Sequence, residues 1–142
     1  MIALLDVNVL IALMDTRHVH HAAACRFFPK AQAHGWATCP LTENGALRIL
    51  GRPAASGGMD SSSSARTLLH SLLSSSGHQF WPDELSLMDP FLFPSLPGFR
   101  HLTDLYLLGL AVKHGGRFAT FDAGIDPSLI PGGSSAYYLV PA

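Results

Sequence analysis

Short apolar runs alternate along the chain with stretches in which apolar residues recur every three or four positions. Runs over residues 2–7, 35–39 and 117–121 predict strands, and shorter ones over 78–81 and 137–140 predict two more. Nearly continuous apolar runs are typical of strands that are buried on both faces, as in parallel sheets. The pattern therefore favours a largely parallel sheet.

The stretches with helical spacing lie between these runs. Helices are predicted after a cap at Asn8, over 20–33, over 40–50, across a serine-rich stretch that ends within 74–77, and over 102–114. The serine-rich helix is expected to start at Asp60 or at the serines after it, because its leucines keep helical spacing.

Proline and glycine mark the breaks between these elements. Pro29 is expected to end or kink the second helix. The glycines and prolines of 51–58 predict a loop, and the four prolines of 82–97 predict a loop with one short helix. Because strands and helices alternate throughout, we expect an α/β fold with a mostly parallel central sheet flanked by helices, in a single domain over 1–142.

The composition indicates a folded protein without a large basic surface. Hydrophobic residues make up 48% of the 142 residues and charged residues 13%, and the net charge is −1. A protein with this charge balance has no large basic platform for nucleic acid, so any polyanion would be bound locally and with help from cations. Cys25 and Cys39 are expected to be small core residues in a reducing cytoplasm. No signal peptide or membrane span is predicted.

Two acids stand at the ends of predicted strands. Asp6 ends the first strand, and Asp122 follows a later one. Ligands of open α/β sheets bind outside the carboxyl ends of the strands. If the two strands are neighbours, the two carboxylates repel each other, and a divalent cation relieves that repulsion. Mg²⁺ and Mn²⁺ prefer oxygen ligands of this kind.

Two further acids lie near the starts of predicted helices. There, Asp104 and Glu43 could simply favour the helix N-terminus, with Thr103 as the cap beside Asp104. Both acids have apolar neighbours, however, and an acid in apolar surroundings needs a partner. A shared metal would provide that partner.

Polar residues close to the strand-end acids could support them. Asn8 could cap a helix, or it could orient a carboxylate or a water molecule. Thr120 lies two residues before Asp122 and so on the same face of its strand. Its hydroxyl could hold that carboxylate, or it could be an ordinary strand residue.

Four sequence strings together resemble the PIN-domain family, and in particular VapC toxins of VapBC toxin–antitoxin pairs. They are LLDVNVLIAL, LTENGALRIL, LTDLYLLGLA and ATFDAGI, in the family's order over nearly the whole chain. The resemblance implies a PIN-like fold in which Asp6, Glu43, Asp104 and Asp122 bind metal and catalyse, with Asn8 and Thr120 as supporting groups.

The resemblance also implies an activity and partners. The family cleaves RNA with Mg²⁺ or Mn²⁺, usually structured RNA such as tRNA or rRNA. Its members commonly form homodimers and are inhibited by a VapB-type antitoxin. Arg48 is the expected RNA phosphate contact, although a plain surface arginine is as good an interpretation. Residues 82–97 are longer and more apolar than expected for the family.

Three other interpretations remain open. A phosphatase or receiver domain also gathers acids at a strand end, but it needs a lysine near the phosphate, and neither Lys30 nor Lys113 follows a strand suitably. A PIN-like scaffold without catalysis would bind RNA or a partner protein only. A transition-metal site at residues 18–21 is disfavoured, because adjacent histidines on a helix do not face each other.

Overall fold

The fold is known from a computed structural model, which describes residues 1–52 and 61–142. Asp60 and most of the loop predicted over 51–58 lie outside the described residues. Five strands of the described chain form one sheet in the order β3-β2-β1-β4-β5. They are β1 (Ala3–Leu5), β2 (Trp36–Thr38), β3 (His78–Phe80), β4 (Arg117–Thr120) and β5 (Tyr137–Leu139).

Every strand pair in the sheet is parallel, so the predicted α/β class is confirmed. In the centre of the sheet, Leu4 of β1 is aligned with Ala37 of β2 and with Phe118 of β4. β1 and β4 are therefore neighbours, the arrangement that brings the acids Asp6 and Asp122 close together. Their carboxyl ends lie at the same edge of the sheet.

The helices of the described chain alternate with these strands. They are α1 (Val7–Met14), α2 (His21–His34), α3 (Pro40–Leu50), α4 (Ser62–Leu73), α5 (Leu102–Lys113) and α6 (Gly133–Ala136). None of them is long and apolar enough to cross a membrane.

The first helix begins earlier than predicted. Its N-cap is Asp6, whose backbone is extended and whose Oδ1 accepts a hydrogen bond of 2.7 Å from the Val7 amide. Asn8 is therefore the second residue of α1 and not its cap. Aspartate and asparagine cap equally well, so sequence preference alone does not choose between them.

Three other local predictions were wrong: an end of α2 at Pro29, a buried Cys25 and a short helix within 82–97. α2 continues through Pro29, which is exposed, so water can reach the carbonyl group that loses its hydrogen bond there. Cys25 is exposed on this helix, whereas Cys39 is buried as predicted. Residues 82–97 contain no helix, and a single 3₁₀ turn follows at Phe99–His101.

The hydrophobic core lies on both faces of the sheet. Leu4 and Phe118 pack on one face, against leucines of α5. Leu5 and Trp36 pack on the other face, against residues of α1, α2 and α3. Because successive strand residues point to opposite faces, the polar residues that follow these strands also divide between the faces.

Candidate metal centre

Asp6 lies at the carboxyl end of β1, and its two carboxylate oxygens have different partners. Only 7% of the residue is exposed. Oδ1 accepts from the Val7 amide and so starts α1. Oδ2 accepts a hydrogen bond of 2.7 Å from the Thr120 hydroxyl at the end of β4. Asp6 therefore forms hydrogen bonds with both the first helix and the neighbouring strand β4.

The Thr120 hydroxyl is the centre of a network that joins β1 to β4. It also accepts bonds from the Asn8 side-chain amide at 3.2 Å and from the Asp122 backbone amide at 3.0 Å. The Asn8 carbonyl in turn accepts from the Phe121 amide at 3.2 Å. Thr120 thus contacts the Asp6 carboxylate and the backbone of Asp122. Asn8 holds the backbone at Phe121, the residue between Thr120 and Asp122.

Asp122 and Asp104 come from different elements and meet beside His101. His101 Nδ1 lies 3.3 Å from Asp104 Oδ2, in the first turn of α5. One ligand atom of each of these three residues lies within 4.8 Å of the others. Asp122 Oδ1 accepts from the Gly124 amide at 2.8 Å, which holds its carboxylate in the turn after β4.

The electrostatics show that the three aspartates act on one another. Burial raises the pKa of Asp6 to about 6, and the charges of Asp104 and Asp122 add to this, although the hydrogen bond from Thr120 opposes it. Burial also raises the pKa of Asp104, with a further contribution from the charge of Asp122. Neighbouring negative charge therefore makes Asp6 and Asp104 harder to ionise, in addition to the larger effect of burial.

An open cavity of about 570 Å³ lies over these groups at the carboxyl edge of the sheet. We call it the acid cavity. Its lining residues are Asp6, Val7, Asn8, Ile11, Asp15, His18, Ile49, Arg100, Asp104 and Asp122. Three of the four predicted acids thus line one space, together with the predicted supporting residue Asn8.

Glu43 and Arg48, both on α3, are not among the described residues that line this cavity. The Glu43 carboxylate accepts a hydrogen bond of 2.7 Å from the Thr38 hydroxyl at the end of β2. Arg48 is exposed in the last turn of α3, next to Ile49, which does line the cavity. The predicted fourth acid and the predicted phosphate contact therefore lie to one side of the three aspartates.

Several polar residues at the cavity, among them Arg100 and His101, were not predicted from the sequence. Arg100 lines the cavity, and His101 contacts Asp104. Both lie in the 3₁₀ turn that follows the proline-rich segment, where no hydrophobic period marks an element. The one available signal was that His101 precedes Asp104 by three residues, the spacing of side chains that meet on a helical turn.

The donor set fits a divalent cation. Two carboxylates and an imidazole lie within reach of one ion, and the buried carboxylate of Asp6 adds negative charge beside them. Carboxylate oxygens suit Mg²⁺ and Mn²⁺, and a nearby imidazole is also compatible with Mn²⁺ and heavier transition metals. Exposure of Asp122 leaves the ion an entry path from solvent.

Comparison with known proteins gives a consistent result. The profile of the PIN domain family matches residues 3–126. Among curated proteins of Mycobacterium tuberculosis H37Rv, the chain is 42% identical to ribonuclease VapC39 over 134 residues, which are 93% of this chain and 96% of that protein. It is 43% identical to ribonuclease VapC38 over 123 residues, 87% and 86% of the two chains. It is 38% identical to ribonuclease VapC44 over 137 residues, 95% and 96% of the two chains.

Proposed function

This chain belongs to the PIN-domain family, and from that membership we propose that it is a metal-dependent endoribonuclease, the toxin of a VapBC-type toxin–antitoxin pair. Its relatives over nearly the whole chain are named as ribonucleases. The observation that carries the proposal is the convergence of Asp6, Asp104 and Asp122, from three separate elements, on one open cavity. Burial raises the pKa of Asp6 and of Asp104, nearby negative charge adds to this, and carboxylates in such surroundings favour a bound cation.

Asp104 and Asp122 are the proposed ligands of Mg²⁺ or Mn²⁺, with Asp6 completing the negative charge around the ion. When bound, the ion supplies Lewis acidity, which acidifies water and neutralises charge on the scissile phosphate. His101 orients the Asp104 carboxylate through its contact at 3.3 Å. Thr120 fixes Asp6 through its hydroxyl, so that Asp6 keeps one orientation without an ion.

Phosphate binding needs a cationic group at the rim of the cavity. Arg100 lines the cavity and is exposed, so its guanidinium group can reach an RNA phosphate from solvent. Arg48 stays a second candidate on α3. No side-chain nucleophile is needed, since water is the attacking group in hydrolysis by this class of site.

The partners follow from the same family membership. We propose that the substrate is structured RNA of the tRNA or rRNA class and that a VapB-type antitoxin binds the chain. We also propose that the chain forms a homodimer. The acid cavity supports an inhibitor that carries a basic side chain, because such a group complements three carboxylates.

Replacement of Asp104 by asparagine tests the function. We expect Asp104→Asn to lower Mn²⁺-dependent RNA cleavage by about 100-fold or more, the loss typical of one group that stabilises transition-state charge. Sequencing of RNA 5′ ends after induced expression of each form would also identify the RNA and the cleavage position. The matched control is Asp126→Asn, because Asp126 is exposed and caps a 3₁₀ turn that asparagine can also cap.

Thermal unfolding with Mn²⁺ and with EDTA separates an intact metal site from an empty one. A site occupied at 100 times its dissociation constant gains about 2.7 kcal/mol of stability. We expect that gain in the wild-type protein and in Asp126→Asn, and its loss in Asp104→Asn. If folded Asp104→Asn cleaves RNA at the wild-type rate, the proposed site is wrong.

A further inference from the structure

A second polar group of side chains joins the carboxyl end of β2 to the first residue of β3. It consists of Thr38, Glu43 and His78, and we call it the Thr38 cluster. Thr38 is fully buried at the end of β2. Its hydroxyl oxygen is 2.7 Å from Glu43 Oε2 and 2.8 Å from His78 Nε2. One hydroxyl therefore joins a carboxylate on α3 to an imidazole on β3.

The number of protons in this cluster fixes which atoms donate and which accept. A threonine hydroxyl has one proton, and Thr38 donates it to the Glu43 carboxylate, which can only accept when ionised. The contact with His78 must then run the other way, with Nε2–H donating to the Thr38 oxygen. Neutral His78 is therefore the Nε2–H tautomer. Burial lowers the pKa of His78, which favours the neutral ring, although the charge of Glu43 opposes this.

The imidazole is itself held in place. The His78 ring packs against Trp36, with ring centroids 4.7 Å apart, and Trp36 is fully buried. These two residues are also aligned in the pairing of β2 with β3. Packing against Trp36 thus fixes the position of the His78 ring and of its Nε2 donor. The hydrogen bond from Nε2 to Thr38 is therefore anchored in the sheet.

The helix that carries Glu43 packs closely against the helix that borders the acid cavity. A Cβ atom on Gly45 would lie 2.6 Å from Cγ2 of Val7, so α3 and α1 approach closely only because residue 45 has no side chain. Val7 lines the acid cavity and follows Asp6 directly. Gly45, two residues after Glu43, therefore lies against a residue of the cavity wall. Glu43 Oε1 has no hydrogen-bond partner among the residues that the structure describes, whereas Oε2 is held by Thr38.

We propose that Thr38 and His78 are positioning residues: they hold Glu43 Oε2 in place and so keep Oε1 available as the fourth acidic oxygen of the metal site. This inference rests on the proposed function, because it gives Glu43 a part in binding the cation. It deepens that function by assigning a role to two residues outside the acid cavity. Positioning groups of this kind typically change metal affinity by 10- to 100-fold.

Thr38→Val and Thr38→Ser form the test pair. Valine keeps the branched shape of threonine in a strand but has no hydroxyl, whereas serine keeps the hydroxyl. With Mn²⁺ alone as the probe and calorimetry as the measurement, we expect Thr38→Val to weaken binding about 10-fold. Thr38→Ser should restore most of that loss. In a Glu43→Gln background, Thr38→Val should cause no further loss, because its effect passes through Glu43.

The tautomer provides a test that needs no variant. In ¹⁵N NMR spectra of the wild-type protein, His78 should be protonated at Nε2 and unprotonated at Nδ1 at neutral pH. A ring protonated at Nδ1 only would overturn the inference. So would a Thr38→Val protein that binds Mn²⁺ as the wild type does, or one that loses the same affinity in the Glu43→Gln background.

The outcomes separate this inference from the proposed function. Wild-type protein that binds no Mn²⁺ and cleaves no RNA overturns both. Mn²⁺ binding that Asp104→Asn abolishes and Thr38→Val leaves unchanged overturns the positioning role alone. Mn²⁺ binding that both substitutions weaken, with rescue by Thr38→Ser, supports both.

Discussion

Acidic side chains lie along both halves of the carboxyl edge of the sheet, but the groups that surround them differ. At β1 and β4, the carboxylates of Asp6, Asp104 and Asp122 share one cavity, and the pKa of Asp6 rises to about 6. In the Thr38 cluster, a single carboxylate meets a hydroxyl donor that an imidazole supports. Buried carboxylates with negative neighbours therefore lie at the β1 and β4 half of the edge, where a cation is most useful.

The alternation of strand residues explains this division. Asp6 and Thr120 are each two residues beyond Leu4 and Phe118, which pack on the face that α5 covers. α5 carries Asp104, so it meets them there. Thr38 is two residues beyond Trp36, which packs on the face covered by α1, α2 and α3. Glu43 on α3 therefore meets Thr38.

The largest test of this contrast is the pH dependence of stability without metal. The pKa of Asp6 is raised from 3.8 to about 6, so the folded protein binds a proton more tightly than the unfolded chain between these values. The stabilisation is fully present below about pH 4 and is lost as the pH rises through 6. Two pKa units correspond to about 3 kcal/mol.

Asp6→Asn isolates this effect from the other carboxyl groups, because asparagine also caps α1. In urea unfolding with EDTA, we expect the variant and the wild type to have similar stability near pH 3.5. Above pH 6 the variant should be more stable, by up to about 3 kcal/mol. A difference that does not change with pH would mean that the three carboxylates do not strain the folded protein.

The next largest effect on stability is expected at the contact between Gly45 of α3 and Val7 of α1. Gly45→Ala places a methyl group 2.6 Å from Cγ2 of Val7, so α3 must move away from α1. Overpacking costs about 1–3 kcal/mol, and alanine regains about 1 kcal/mol of helix propensity. Because 2.6 Å is far inside van der Waals contact, we expect a cost at the upper end of that range and a net loss of about 2 kcal/mol in urea unfolding.

Gly98→Ala is the matched control, because a Cβ atom there would meet nothing within 4 Å. It should be stable to within about 0.5 kcal/mol of the wild type. Equal stability of the two alanine variants would contradict the close approach of α3 to α1.

The smallest effect is expected within the Thr38 cluster. Glu43→Gln keeps an oxygen that can accept from Thr38 but removes the charge that strengthens this hydrogen bond. We expect a loss of about 1 kcal/mol or less in urea unfolding. Glu43→Gln should therefore lower the free energy of unfolding, whereas Asp6→Asn should raise it above pH 6. A Glu43→Gln protein that is more stable than the wild type would contradict this difference between the two sites.

Much of the fold could be predicted from the sequence, because its signals are local. The apolar runs predict the strands, and their alternation with helical spacing predicts the parallel sheet that places Asp6 and Asp122 at one edge. Asp104 stands out because its helix is otherwise apolar. The family strings are spread over the whole chain, so their order constrains the topology as well.

The rest depends on contacts that spacing does not encode. Glu43 stands near the start of α3 as predicted, but its bond to Thr38 depends on which face β2 presents to that helix. Arg100 reaches the acid cavity through a 3₁₀ turn without any hydrophobic period. Helix α1 begins at Val7 because Asp6 contacts both the Val7 amide and Thr120, and the second contact is 114 residues away in the chain.

The double use of Asp6 narrows the substitutions that this position can tolerate. One oxygen begins a helix and the other binds the neighbouring strand, while the charge belongs to the acid cavity. Alanine would give up all three roles, and glutamate would keep the charge at the wrong distance for the helix start. Asparagine keeps one acceptor oxygen for the helix start and gives up the charge and the acceptor for Thr120. A descendant of this chain that lost its catalysis while keeping most of its architecture would therefore most easily do so by a change from Asp to Asn.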